Sequence, residues 1–243
     1  MSVTQSPPID SIGYNVNIID KSVTFYVNTH DPLNQVKYYK WKYNEDWEFH
    51  SIYASEVIYD RVTNSVSYMD SWSKNRYYCW NKSTSTGILV GSTDNLTEAR
   101  IYQKKLVRFG STDIRISYLY SMELIQTAIT KDAYIYWDNI RKISDEIGGI
   151  FAPQPSEISG NIKCVSSPQE KVIGYISVGT VTKRRAFAYG HKIGIYDGPQ
   201  ACELVIVNSD NPMKFDVLWD GGYDIVSFTD MPQESAWSPI KCV

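Results

Sequence analysis

The sequence predicts a mainly β fold: an antiparallel β-sandwich with one principal amphipathic helix packed against it. Three observations predict this. The 243 residues include 19 tyrosines, 14% aromatic residues in all, and many Thr, Val and Ile. Branched and ring side chains of this kind fit a pleated, half-buried surface. Several short runs alternate apolar and polar residues with the period of two that puts successive side chains on opposite faces of a strand. One stretch alone has the three- and four-residue spacing of a helix face.

The elements follow in order. Residues 1–8 read as a linker end. Ser22 to Asn28, SVTFYVN, sets Val23, Phe25 and Val27 against Thr24, Tyr26 and Asn28, the pattern of a half-buried strand. DPLNQ, Asp31 to Gln35, is a turn with Pro32 at a favoured position. VKYYKWKYN, Val36 to Asn44, is a second strand with Tyr39, Trp41 and Tyr43 on one face, and EDWEFHSIY continues the sheet after a short turn. A strand ending near Asp31 and followed by a Trp-bearing strand resembles the inner pair of an immunoglobulin-like sandwich. Ser71 to Gly87 reads as loop, a short strand around Tyr77 to Trp80, then loop. ARIYQKKLVRFG and TDIRISYLYSMELI read as two longer strands joined by a turn at Gly110 and Ser111, with Ile114, Ile116 and Tyr118 on one face of the second.

The helix is expected over about 131–147. Thr130 serves as N-cap, and Asp132 lies in the first turn, where the helix dipole favours negative charge. Ala133, Tyr136, Trp137, Ile140, Ile143 and Ile147 form its apolar stripe, and Gly148 ends it. Such a helix needs a sheet to bury its stripe. GGIFAPQPSEISGNIKC, after the helix, is therefore read as a rigid connection within one domain, its prolines favouring extended backbone. KVIGYISVGTVTKRRAFAYG reads as a long strand or hairpin, central because both faces carry apolar residues, with Arg184 and Arg185 at a solvated end. CELVIVN is a further strand, and about 208–243 is a loop-rich tail. The expectation is one β-rich domain over 1–243.

Twenty-four Lys+Arg against 27 Asp+Glu give a net charge of -3, which offers no reason to expect a nucleic-acid or membrane-surface partner. No apolar run reaches membrane-spanning length, and the first ten residues lack the basic start and apolar stretch of a signal peptide. His30, His50 and His191 are scattered, without Glu or Cys at metal-ligand spacing, and no nucleophile elbow, zinc helix or phosphate loop occurs. No catalytic residue, metal or cofactor is expected. Asp210, Asp216 and Asp220 would suit calcium by charge but miss the EF-hand spacing, so a solvated turn is the plainer reading. Most tryptophans belong in the core; Trp72 and Trp219, in loops, are the candidate ligand-binding aromatics. Cys79, Cys164, Cys202 and Cys242 form no CxxC, and their spacing alone allows either two disulfides or four buried thiols.

PPIDSIGY, YYKWKY, YYCW, ITKDAYIYWDNI, GGIFAPQPSEISGNIKC and VIGYISVGTVTKRRAF occur in that order. In this the chain resembles the DUF4249 family of Bacteroidetes outer-membrane lipoproteins, from about Pro7 to Cys242, most specifically over Ile129 to Phe187. The resemblance implies a chain truncated ahead of its lipoprotein signal and immunoglobulin-like domain, with Met1 an added start. It implies export to the outer membrane, facing the cell surface or periplasm through a lipid anchor, and oxidising conditions for the cysteines. It also implies an accessory role beside a TonB-dependent transporter, in nutrient capture or transporter assembly, without enzymatic activity. The alternative reading is a carbohydrate- or peptide-binding module using exposed aromatics. Four cysteines permit three pairings; Cys79–Cys164 and Cys202–Cys242 are the expected disulfides, the second pinning the tail to a strand.

Overall fold

The computed structural model describes residues 5–55, 57–69, 77–145, 160–170, 172–198, 202–208, 213–228 and 234–239. The chain is mainly β, with strands β1 (Ile9–Asn17), β2 (Ser22–His30), β3 (Tyr38–His50), β4 (Val57–Asp60), β5 (Ser65–Tyr68), β6 (Tyr78–Thr84), β7 (Leu89–Ser92), β8 (Arg100–Gly110) and β9 (Leu119–Ala128). Helix α1 (Lys131–Asp145) follows, then β10 (Val181–Tyr189), the short α2 (Gly190–Ile193), β11 (Val205–Asn208), α3 (Met213–Asp220), β12 (Tyr223–Phe228) and β13 (Glu234–Pro239). The strand orders are β1-β2-β8, β10-β9-β3-β6 with β7 also on β3, β11-β13-β12, and β4-β5. The pairs β1–β2, β2–β8, β3–β7, β4–β5, β11–β13 and β12–β13 are antiparallel.

The chain divides into two compact units. Unit 1 comprises residues 1–46, 82–110 and 121–188; unit 2 comprises 47–81, 111–120 and 189–243. The division falls within β3, β6, β9 and β10.

Unit 1 shows the predicted alternation directly. Val23, Phe25 and Val27 of β2, Tyr39, Trp41 and Tyr43 of β3, and Met122 and Leu124 of β9 are buried. Among them lies a buried polar knot. The Gln126 side chain accepts from Trp41 Nε1 at 2.9 Å and donates to the Pro7 carbonyl at 2.9 Å and Thr29 Oγ1 at 3.1 Å. Gly91 of β7 is small for a reason: a Cβ there would stand 2.8 Å from the Trp41 ring. The DPLNQ turn forms as expected. The Asp31 carboxylate accepts from the backbone N–H of Leu33, Gln35 and Val36. Burial raises its pKa, but these amides outweigh that and hold the carboxyl below its ordinary value.

Helix α1 also forms as expected, with the Thr130 hydroxyl accepting from Ala133 N–H at 3.3 Å. Ala133 and Tyr136 are buried, and Trp137, Ile140 and Ile143 are half-buried. Lys40 of β3 sets its ammonium 3.1 Å from the Trp137 ring centroid, and the Tyr38 ring lies tilted against Tyr134 at 5.3 Å. The predicted end at 147 and the connection over 146–159 lie outside the described residues.

The core of unit 2 is Val57, Tyr59, Val207, Phe215, Ile225 and Trp237, with Val66, Leu218 and Trp219 packed against it. Tyr59 lies edge-on to Trp237 at 5.4 Å, and Phe215 stacks on Trp237 at 5.3 Å.

Several expectations are corrected. β3 runs unbroken from Tyr38 to His50, with no turn before EDWEFH. Ile114, Ile116 and Tyr118 do not share a strand. Residues Ile114–Ile116 form a 3-10 turn because Asp113 captures the Arg115 N–H at 3.0 Å and clasps its guanidinium at 2.9 and 2.7 Å. β8 and β9, expected as neighbours across a turn, belong to different sheets. Residues 172–180 are not strand. The Asn161 side chain takes both backbone groups of Ile176, at 2.6 and 2.8 Å, in place of a neighbouring strand. β10 starts at Val181 and ends the strand order instead of lying centrally. The segment read as a loop-rich tail carries α3, β12 and β13. β6 extends the expected short strand to Thr84, while residues 70–76 lie outside the described residues.

Candidate functional site

In unit 2, β3 ends in Glu48 and His50, two residues apart and so on one face of the strand. Their side chains meet, Nε2 to Oε1, at 3.1 Å. His50 is 10% exposed, and its Nδ1 has no hydrogen-bond partner among the described residues. Three tyrosines enclose the imidazole, with centroids at 4.6 Å for Tyr77, 4.8 Å for Tyr78 and 3.3 Å for Tyr118. Tyr77 and Tyr78 meet edge to face at 5.1 Å, an arrangement the ring quadrupoles favour.

Local backbone bonds assemble these rings. Ser51 N–H donates to the Tyr77 carbonyl at 3.0 Å, fixing the start of β6 beside the end of β3. Gly190 N–H donates to the Tyr118 carbonyl at 2.7 Å. Only glycine allows this approach, since a Cβ at 190 would collide with the Ser117 carbonyl. That contact brings in Tyr189 and His191, whose rings lie 5.7 Å apart, with Lys192 over the Tyr189 ring at 5.3 Å.

The outer rim of this assembly faces solvent. Tyr78 is 57% exposed, Trp80 64%, Tyr118 46% and Tyr189 44%, so all four side chains are partly open to a ligand. Burial, a hydrogen bond with Tyr77 and the charges of Tyr77, Tyr78 and Glu48 push the Tyr118 phenol up. Chemically, neutral phenols around an imidazole offer flat faces for stacking and hydroxyls that both donate and accept.

The residues singled out from sequence fall elsewhere. Trp219 sits on α3 and not in a loop; it is partly buried, 5.6 Å from Tyr59. Trp72 lies outside the described residues. The expected Cys79–Cys164 disulfide is not formed: both cysteines carry thiols. They belong to different units, and the Cys164 sulfur is engaged locally, 3.4 Å from Ser166 Oγ and 3.6 Å from Glu170 Oε2. Cys202 is disulfide-bonded, and Cys242 lies outside the described residues.

Asp216 accepts a hydrogen bond from the Tyr59 hydroxyl, and Asp220 pairs with Arg61 at 3.0 Å; Asp210 lies outside the described residues. Among the described residues no group of three or more His, Cys, Asp or Glu is placed to hold a metal ion. His30 pairs with Asp10 at 2.7 Å. Arg184 and Arg185 are exposed, as expected, but lie within β10 and not at its end, and both are hydrogen-bonded. Arg184 donates to the carbonyls of Ile9 and Asp10, at 2.8 and 2.6 Å, and Arg185 donates to Asp46 and Ser121, at 2.9 and 2.7 Å. Sequence reasoning missed Tyr78, Trp80, Tyr118 and Tyr189 as a group. YYCW was the one local signal; nothing local linked it to Tyr118 or Tyr189.

Fold and site together define a mainly β chain of antiparallel sheets that carries an exposed aromatic surface around a histidine. No described helix is long and apolar enough to cross a membrane. The chain belongs to the DUF4249 family, described as a domain of unknown function, whose family model matches residues 1–185. The match begins ahead of Pro7 and stops short of Cys242, the limits expected from the motifs. No curated protein and no solved structure matches the chain.

Proposed function

We propose that this chain is a non-catalytic capture domain that holds its ligand on the aromatic surface around His50. The observation that carries the reading is the exposure of Tyr78, Trp80, Tyr118 and Tyr189 on and beside a packed ring cluster. Exposed rings held rigid by their neighbours lose little side-chain entropy on binding. They suit the apolar faces of a sugar, or the side chains of a peptide. The family resemblance supplies the setting of this reading: a lipid-anchored Bacteroidetes lipoprotein of the outer membrane, passing its ligand to a TonB-dependent transporter. An immunoglobulin-like sandwich is part of the same reading, and the inward-facing alternation of β2 and β3 supports it.

A glycan and peptide array probed with the chain tests the ligand, with Trp80 fluorescence as the solution readout. The expected result is saturable binding of a neutral glycan or a peptide, weakened about tenfold or more by Tyr78→Ala or Trp80→Ala, as loss of a stacking contact predicts. Binding that both substitutions leave unchanged would sink the aromatic surface as the site. Purification from native membranes at endogenous levels tests the setting, and recovery without any transporter counts against it.

A further inference from the structure

Unit 1 contains a second, chemically different opening: a groove of about 640 Å³ whose walls include Tyr102, Lys104, Lys105, Tyr134, Asp138 and Arg141. A bulge in β8 shapes it. Val27 pairs with Lys104 and Thr29 with Ile101, so Tyr102 and Gln103 together face the single residue Asn28. Gln103 adopts φ 46°, in the left-handed region, and its N–H donates to Asn28 Oδ1 at 2.7 Å. Two residues opposite one reset the alternation of the strand. Lys104 thereby falls on the side of buried Ile101 and not on the solvent side.

Lys104 is half-buried and makes no hydrogen bond or ion pair among the described residues. The one carboxylate in the wall is already engaged. Asp138 accepts from Arg141 at 2.8 and 3.0 Å and pairs with Lys142 at 3.0 Å. Burial and the neighbouring Arg141 charge pull the Lys104 ammonium below its usual value, against the weaker opposing pull of the Asp138 carboxylate. Four cations, Arg100, Lys104, Lys105 and Arg141, line the groove, and with Arg100 paired to Glu98 at 3.4 Å and Arg141 to Asp138 the excess positive charge rests on the two lysines. A cation held half out of water without a partner is costly, and an incoming anion removes the cost. Beside it Tyr102, 74% exposed, offers a ring face for the body of the ligand.

We propose that this groove binds a small ligand bearing an oxyanion, with the carboxylate or phosphate on Lys104 next to Arg141 and the rest of the ligand against Tyr102. The site is separate from the aromatic surface around His50, and its ligand is anionic where that surface takes neutral faces.

The test is calorimetric titration of the chain at low salt with D-glucuronate, inorganic phosphate and D-glucose, repeated on Lys104→Met and Lys104→Arg. Saturable binding of glucuronate or phosphate is expected, with none of glucose; the stronger of the two anions distinguishes a carboxylate from a phosphoryl ligand. Losing one charge-assisted contact should weaken binding about tenfold or more in Lys104→Met, while Lys104→Arg stays within a few-fold of native. Thermal melting of Lys104→Met is the control on folding. An unchanged or higher Tm is expected, because the change removes an unpaired half-buried charge. The proposal is overturned if neither anion binds saturably, if Lys104→Met binds as tightly as native, or if Lys104→Met melts lower, which would assign the lysine a structural partner instead.

Discussion

The two cores of this chain solve the same problem by different chemistry. In unit 1 the centre is polar: Gln126, fully buried, ties Trp41, Thr29 and Pro7 together through three hydrogen bonds. In unit 2 the centre is aromatic: Trp237, fully buried, packs against Phe215 and Tyr59, and the polar links sit at its edges, from the Tyr59 hydroxyl to Asp216 and Asn64 and from Trp237 Nε1 to Ser235. The difference teaches where each unit is specific. A buried glutamine fixes register, because every slip leaves a donor or acceptor unmet. An aromatic centre supplies burial energy but accepts small shifts more readily.

The largest expected effect breaks the aromatic side of this contrast. Trp237→Ala removes the ring that Phe215 and Tyr59 pack on, and should cost about 3–5 kcal/mol in chemical denaturation. A loss below about 1 kcal/mol would mean that the site collapses and the ring is not central. Next comes Gln126→Leu, close in volume but unable to bond. It leaves Trp41 Nε1 and the Pro7 carbonyl without their partner and should cost about 1–3 kcal/mol. If Gln126→Leu were neutral or stabilising, the polar centre of unit 1 would add nothing beyond its volume.

A smaller effect sharpens one polar link of unit 2. Tyr59→Phe deletes the hydroxyl bonded to Asp216 and Asn64, and should cost about 1 kcal/mol. The same residue predicts a pH dependence. Burial and the Asp216 carboxylate push the Tyr59 phenol up from 10.0 to about 12. Above pH 10 the unfolded chain sheds this proton while the folded chain keeps it, so the folded state binds more protons and stability falls as pH rises. The contribution is intact below pH 10 and lost by about pH 12, and Tyr59→Phe should flatten this part of the stability curve in alkaline denaturation. The smallest effect is kinetic. Burial raises the Cys79 thiol, so its alkylation should lag behind that of an unstructured cysteine peptide at neutral pH and catch up as pH rises. Peptide mapping without reduction checks this, and should also show a modified Cys164 and an unmodified, bridged Cys202.

Two surfaces repeat the contrast of the cores. The rings around His50 offer neutral faces, and the groove at Lys104 offers excess positive charge. Salt should therefore weaken binding at the second and leave the first nearly unchanged.

Much of the local structure could be read from sequence. The alternation in SVTFYVN and YYKWKY put Val23, Phe25, Val27, Tyr39, Trp41 and Tyr43 on buried faces, as found. The Thr130 cap and the stripe from Ala133 located α1. These signals succeed because cap bonds and strand alternation are settled within a few residues. The misreadings share one cause. Ile114, Ile116 and Tyr118 alternate like a strand, yet one Asp113 side chain outbids the sheet for the backbone. Ile173, Ile176 and Val178 look like a central strand and are exposed, because Asn161 occupies the backbone of Ile176.

By itself, then, the sequence determined the β-rich class, the strand faces and the single long helix, since periodicity and capping act locally. Tertiary structure alone decided that Gln126 is a core residue, that Trp219 packs inward while Trp80 faces out, and that Tyr77, Tyr78 and Tyr118 gather around His50. It also decided that Lys104 stands half-buried with no hydrogen bond or ion pair among the described residues. The physical reason is that burial and pairing depend on which strands become neighbours. Here the neighbours come from positions as far apart as 41 and 126, or 118 and 190, and no window of sequence contains both.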